Sequence, residues 1–206
     1  MSVPAVTTAS GRQYRLIGPE LDAPYFPDVA HHLAQINRYS GACARPYSVA
    51  EHSLLCLDIA RARGLPLHAQ RAVFAHDWHE AYVNDAIGPV KAALHEIALA
   101  NGSNGSDYDE LEERHAQHLR SHFGLSEAFR QWGEEVKLCD RVALATERAA
   151  LMPNDGLEWE TLTGIEPWGG TDLMSVVREN SHWKNWRDRF WLASLELWAD
   201  PGRLCE

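Results

Sequence analysis

The run FAHDWHEAYVND, residues 74 to 85, places His76, Asp77, Glu80 and Asp85 within a dozen positions, directly after the apolar Phe74 and Ala75. Apolar neighbours point to a core position, where an imidazole or a carboxylate is costly unless it is paired. His76 and Glu80 are four apart and Asp77 and Glu80 three apart, so a helix over this run sets all three on one face. An imidazole beside a carboxylate is a ligand pairing for a divalent transition metal, and a cation supplies the missing partner. Two adjacent residues do not complete a coordination sphere. His52, inside an otherwise apolar helix face, and Asp140, flanked by Val136 and Val142, are the candidates to complete it if their helices meet this one.

The positioning elements follow from start and stop signals. Ser48-Val49-Ala50-Glu51 is a capping box, and the helix that it opens carries Val49, Leu54, Leu55, Leu57 and Ile59 before Gly64. Pro66 suits the first turn of the next helix, which is expected to run on through the 74–85 stretch toward Gly88-Pro89. Asp28 is the expected cap of an earlier helix through Val29, Leu33 and Ile36. VKAALHEIALA reads as a helix, NGSNGSD as a loop and lid candidate, and Asp107 as the cap of a helix reaching Phe123. After a turn around Ser126, EEVKLCDRVALATERAALM carries Asp140. The first 26 residues read as irregular with a short strand at 13–17. The expectation is an all-α bundle of about six or seven helices with an irregular N-terminal segment.

The 206 residues favour one domain with a substantial core. A formal net charge of −10 argues against a grip on nucleic acid polymers, which rests on phosphate neutralisation, but leaves room for a small phosphorylated ligand. Cys43, Cys56, Cys139 and Cys205 form no CxxC pair and read as free thiols of a reducing compartment. Neither a signal peptide nor a membrane-spanning run is expected, which makes the expected location cytoplasmic.

SVAEHS, FAHDWHEAYVND and VKLCDRVALATE, in that order, resemble the signature of the HD-domain metal-dependent phosphohydrolases over residues 28 to 152. The closest resemblance is to the branch of bacterial 5′-deoxynucleotidases and phage-type HD phosphohydrolases. It implies a single HD-type domain over 1–206 with its motif core at about 28–152; residues about 153–206 match nothing in that branch and read as a C-terminal helical extension. It implies that His52, His76, Asp77 and Asp140 hold one divalent metal, whose identity (Mn, Co, Fe, Ni or Zn) the donor types leave open. The branch's upstream arginine falls on Arg38, in INRY, with Tyr39 where the branch has tryptophan. Its later glutamate, aspartate and lysine fall on Glu80, Asp85 and Lys91.

The implied activity is hydrolysis of a nucleotide phosphate ester, foremost a deoxynucleoside 5′-monophosphate. Removal of triphosphate from a dNTP, or hydrolysis of another phosphorylated metabolite, keeps the same site. A non-catalytic metal- and nucleotide-binding module is the alternative of a different class. Arg38 and Lys91 would balance phosphate charge. Glu80, ionised near a cation, would orient water or pass a proton, Asp85 would assist, and Tyr39 would stack on a base. The expected partner is a small nucleotide, with no membrane; a homodimer is left open.

Other candidates carry less. His115, His118 and His122 read as a solvated helix face, and Trp183, Trp186 and Trp191 as a packed core helix. Glu147, seven residues after Asp140, is open between a substrate contact and a structural salt bridge. His79 is expected to face away from the ligands.

Overall fold

A computed structural model describes residues 3–104, 107–175 and 182–198. Strands β1 (Ala5–Thr7) and β2 (Gln13–Arg15) pair antiparallel, with Val6 opposite Tyr14. Helix α1 (Phe26–Leu33) starts with proline in its first turn. Asp28, the expected cap, instead lies inside that turn, where it is buried and accepts from Ser10 N at 2.8 Å and Ser10 Oγ at 2.7 Å. It ties the segment after β1 to the helix.

Helix α2 (Val49–Ala62) has both halves of its capping box: Glu51 N donates to Ser48 Oγ at 3.2 Å and Ser48 N to Glu51 Oε1 at 3.3 Å. Then come α3 (Leu67–Phe74), the short α4 (Glu80–Val83), α5 (Gly88–Ala100), α6 (Asp107–His122), α7 (Ser126–Leu151) and α8 (Trp183–Leu197). Eight α-helices and one two-stranded sheet among the described residues make the chain all-α. None of these helices is long and apolar enough to cross a membrane.

Two expectations about the helices are corrected. The third helix does not run through the 74–85 stretch: it stops at Phe74, and residues 75–79 form turns closed by bonds such as Trp78 N to Ala75 O and Glu80 N to Asp77 O. These i to i−3 bonds are tighter than an α-helix allows. The turn expected around Ser126 lies just before it, at residues 123–124, and α7 already begins at Ser126 and not at the EEVKL stretch, as a single 26-residue helix whose only non-helical residue is Trp132. Residues 105–106 of the NGSNGSD loop, and the ends of the tail around Trp183–Leu197, lie outside the described residues.

Helices α2, α3 and α7 pack on one another. Small buried side chains, Ala60, Ala72, Cys56, Cys139 and Ala143, line their contact and let the backbones approach. On the other side of α2, α8 packs on α1, α2 and α3. There Phe26, Phe74, Trp78 and Phe190 form an aromatic cluster, with the Phe74 and Phe190 rings 4.5 Å apart. Each such buried side chain contributes about 1.5–3 kcal/mol. Trp186 is buried in this cluster, and Trp183 and Trp191 pack against it, so the tail is a core helix as its sequence suggests.

Candidate metal centre

The contact of α2, α3 and α7 brings together groups more than sixty residues apart. His52 sits one turn into α2, Asp140 in the middle of α7, and His76 and Asp77 in the turn after α3. His52 Nε2 lies 3.2 Å from His76 Nε2, 3.2 Å from Asp140 Oδ1 and 3.5 Å from Asp77 Oδ2. His76 Nε2 lies 3.1 Å from Asp77 Oδ2 and 3.7 Å from Asp140 Oδ1. Donor atoms about 2.1 Å from one ion stand roughly 3.0–3.4 Å apart along the edges of an octahedron or tetrahedron. Three of the five spacings, 3.1, 3.2 and 3.2 Å, fall in that range and the other two, 3.5 and 3.7 Å, slightly exceed it, so small shifts of these side chains would fit them to a divalent metal. His52 is 0% exposed and Asp140 39%, so the cluster opens to solvent on the α7 side.

Both imidazoles are oriented by their far nitrogen. His52 Nδ1 lies 2.6 Å from Glu147 Oε1, and His76 Nδ1 2.7 Å from the Val73 carbonyl oxygen. A carbonyl only accepts, as does an ionised carboxylate, so each Nδ1 carries the hydrogen and donates. Each Nε2 is therefore the position where a cation, proton or metal, enters.

The electrostatics agree. Burial lowers the His76 pKa, but the Asp77 charge and bonding to Asp140 outweigh it and hold the imidazole well above its ordinary value. Burial and the Arg38 charge lower His52, yet Glu147 and Asp140 bring it up on balance. Burial pushes Asp77 and Asp140 up, and the two imidazoles more than reverse it.

Arg38 stands at the edge of the cluster, Nη1 3.6 Å from Asp77 Oδ2 and Nε 3.3 Å from Glu147 Oε2. Tyr39 follows in the left-handed region at φ 56°, and its hydroxyl donates to Glu147 Oε2. That hydroxyl is committed, and the ring is tilted against Trp159 at 6.3 Å, so base stacking has only its remaining surface. Lys91 is on α5 and pairs with Glu112 of α6 at 2.8 Å, so it is not a free cation at the cluster. A cavity of about 510 Å³ between α5 and α6 includes Lys91 but none of the four cluster residues.

Glu80 begins α4 and is buried, and its Oε2 meets no hydrogen-bond partner among the described residues. In the metal-free chain, burial first, then the Asp77 and Asp85 charges, hold this carboxyl well above its ordinary value; the lowering expected beside a cation concerns the metal-loaded site. Asp85, half-buried, is likewise raised by burial, with Arg38 acting in the opposite direction.

Three residues at the cluster went unread or half-read in the sequence. Glu147 is one; Tyr47, whose hydroxyl donates to Glu147 Oε1 at 2.9 Å, is another. Cys56 is the third, with Sγ 3.5 Å from His52 Nε2 and grouped with His52, His76 and Asp140 within 4.8 Å. Its position four after His52 on one helix was the available signal. Burial keeps this thiol protonated, and a thiol is a poor ligand beside carboxylates and imidazoles. The solvated-face reading of α6 holds for the exposed His122 and is corrected for His115 and His118. His115 is buried, 3.1 Å from the Tyr14 hydroxyl, and His118 Nε2 reaches the Asp22 carbonyl at 2.9 Å, so both tether the N-terminal segment.

No protein-family model matches the chain. It is 30% identical over 172 residues to the uncharacterized protein YfdR of Escherichia coli strain K12, with 84% of each chain covered. It is 37% identical over 120 residues to an uncharacterized protein of Rhodobacter capsulatus, with 56% of each covered.

Proposed function

The chain belongs to the family of the Escherichia coli protein YfdR, and from the chemistry of its site and the resemblance of its motifs to the HD-domain signature we propose that it is a divalent-metal-dependent phosphohydrolase of nucleotides. Deoxynucleoside 5′-monophosphates are the first candidate substrates. The observation that carries this reading is the convergence of His52 Nε2, His76 Nε2, Asp77 Oδ2 and Asp140 Oδ1, with the two imidazole nitrogens 3.1–3.7 Å from each other and from the carboxylate oxygens. These four residues would hold the ion. When bound, it would supply Lewis-acid polarisation of a phosphoryl oxygen and make a water molecule more acidic.

The other residues have roles fitted to a phosphate ester. Arg38 presents a guanidinium at the rim of the cluster, suited to two phosphate oxygens at once. Its ion pairs with Asp77 and Glu147 hold it there. Glu80, whose carboxyl is shifted above its ordinary pKa by burial beside Asp77 and Asp85, is suited to give a proton to the leaving sugar oxygen as the phosphorus–oxygen bond breaks. Asp85, whose charge acts on Glu80, is the candidate to share that proton. This assigns Glu80 the acid's part rather than the orientation of water by an ionised carboxylate.

The test is release of inorganic phosphate from deoxynucleoside and ribonucleoside 5′-monophosphates, dNTPs and sugar phosphates, each with Mn²⁺, Co²⁺, Ni²⁺, Zn²⁺ or Fe²⁺. Phosphate and nucleoside from the monophosphates support the proposal. Triphosphate release from dNTPs, or turnover confined to another phosphorylated metabolite, moves the substrate while keeping the site. Metal binding without turnover of any substrate replaces the enzyme by a binding module.

A further inference from the structure

Glu147 lies about two turns beyond Asp140 on α7, with its side chain fully buried. It gathers four donors and divides them between its oxygens. Oε1 accepts from His52 Nδ1 at 2.6 Å and Tyr47 Oη at 2.9 Å, whereas Oε2 accepts from Tyr39 Oη and from Arg38 Nε at 3.3 Å. One oxygen faces the imidazole of the metal cluster. The other faces the guanidinium suited to phosphate.

The second half of this arrangement is held in an unfavourable conformation. Tyr39 and Ser40 are non-glycine residues at φ 56° and 51°, a region that L side chains avoid. Such strain persists where surrounding bonds over-determine it, commonly at functional sites. Here the bonds from Tyr39 and Arg38 converge on one carboxylate oxygen, and Arg38 N donates to the Tyr47 carbonyl at 2.9 Å, which closes the loop on itself.

We propose that Glu147 is a positioning residue that fixes the His52 ring for metal binding and ties it to the Arg38–Tyr39 turn, so that the two halves of the site are set by one carboxylate. The inference rests on the metal reading above. Loss of Glu147 removes the acceptor that fixes which His52 nitrogen bears hydrogen, and frees the turn. Loss of the Tyr39 hydroxyl acts on the same carboxylate from the other side.

The experiment is calorimetric titration of Co²⁺ into metal-free wild type, Glu147→Gln and Tyr39→Phe, with ¹⁵N spectra of His52 in the Zn²⁺-loaded forms. Glu147→Gln is expected to lower metal affinity by about 10- to 100-fold and to shift the His52 nitrogen resonances. Tyr39→Phe, which alters no ligand atom, is expected to lower it by about 3-fold. Wild-type affinity and unchanged resonances in Glu147→Gln overturn the proposal. Should Glu147→Gln fail to fold, Tyr39→Phe decides, and unchanged affinity there overturns the link between the two halves. Absence of Co²⁺ binding by the wild type defeats the metal reading itself, a result distinct from either.

Discussion

His76 Nδ1 donates to the carbonyl oxygen of Val73, three residues earlier, at 2.7 Å. In an unbroken helix that carbonyl would be reserved for the amide of Asp77. Because α3 ends at Phe74, the carbonyl is available to an imidazole, and the side-chain bond aims His76 Nε2 at the cluster. The helix break and the ligand geometry are thus one feature.

A metal held by this cluster must displace protons from the two imidazoles. Calorimetry of Co²⁺ binding in buffers of different ionisation enthalpy should report proton release, and affinity should rise with pH through neutrality, because His76 is held well above its ordinary pKa. His76→Ala should lose the ion almost entirely, and chelation should lower the wild-type melting temperature. Full metal content in His76→Ala would remove the assignment.

Arg38→Ala should raise KM and lower kcat, and Arg38→Lys should recover only part of the loss, since a point charge does not replace a fork. The alanine variant also leaves Glu147 short of its cationic partner in a buried position, at a stability cost of about 3 kcal/mol. Steady-state kinetics with thermal denaturation separates these effects. Unaltered kinetics would take Arg38 out of the site.

For Glu80→Gln the expectation is metal content near wild type with kcat lower by about 10²- to 10⁴-fold. A second consequence follows in the metal-free protein. The folded pKa of Glu80 stands above its ordinary 4.5, so its burial is tolerated below pH 4.5 and becomes costly as pH rises toward the folded value. Glu80→Gln should therefore be more stable than wild type at pH 7 and lose that advantage near pH 4. Denaturant melts across pH check this, and an advantage that instead grows on acidification would contradict the protonated assignment.

His79 gives the opposite slope. Burial lowers its pKa from 6.5 to about 4. The neutral ring is favoured in the folded state, so its contribution is complete above pH 6.5 and disappears as pH falls through 4, amounting to at most about 3 kcal/mol. His79→Gln should flatten acid denaturation across that window. A parallel acid limb in both proteins would exclude His79 as its source.

Much of the frame was legible from local patterns. The capping box at Ser48 and Glu51 needs only the four residues that form it, and the apolar spacing along α2 and α7 and the Trp183–Leu197 helix was readable in the same way. The break at Phe74 was not, because a helical face over His76, Asp77 and Glu80 is self-consistent in sequence. The His76 bond to the Val73 carbonyl accompanies the break, and residue spacing along the chain does not encode it. His115 and His118 were misread for a related reason, since the partners that bury them, Tyr14, Leu16 and Asp22, lie about a hundred residues away.

The sequence by itself determined the all-α class and the residue types, His52, His76, Asp77 and Asp140, whose donor chemistry suits a metal. Those properties depend on side-chain identity and on short-range periodicity. Only the tertiary structure decided that these atoms meet at 3.1–3.7 Å, that Glu147 and Val73 set the ring nitrogens, that Lys91 is engaged by Glu112, and that burial raises the pKa of the metal-free Glu80. Each of these depends on which distant groups share a desolvated volume. Coulomb and hydrogen-bond energies there act over a few ångströms of space, whatever the distance along the chain.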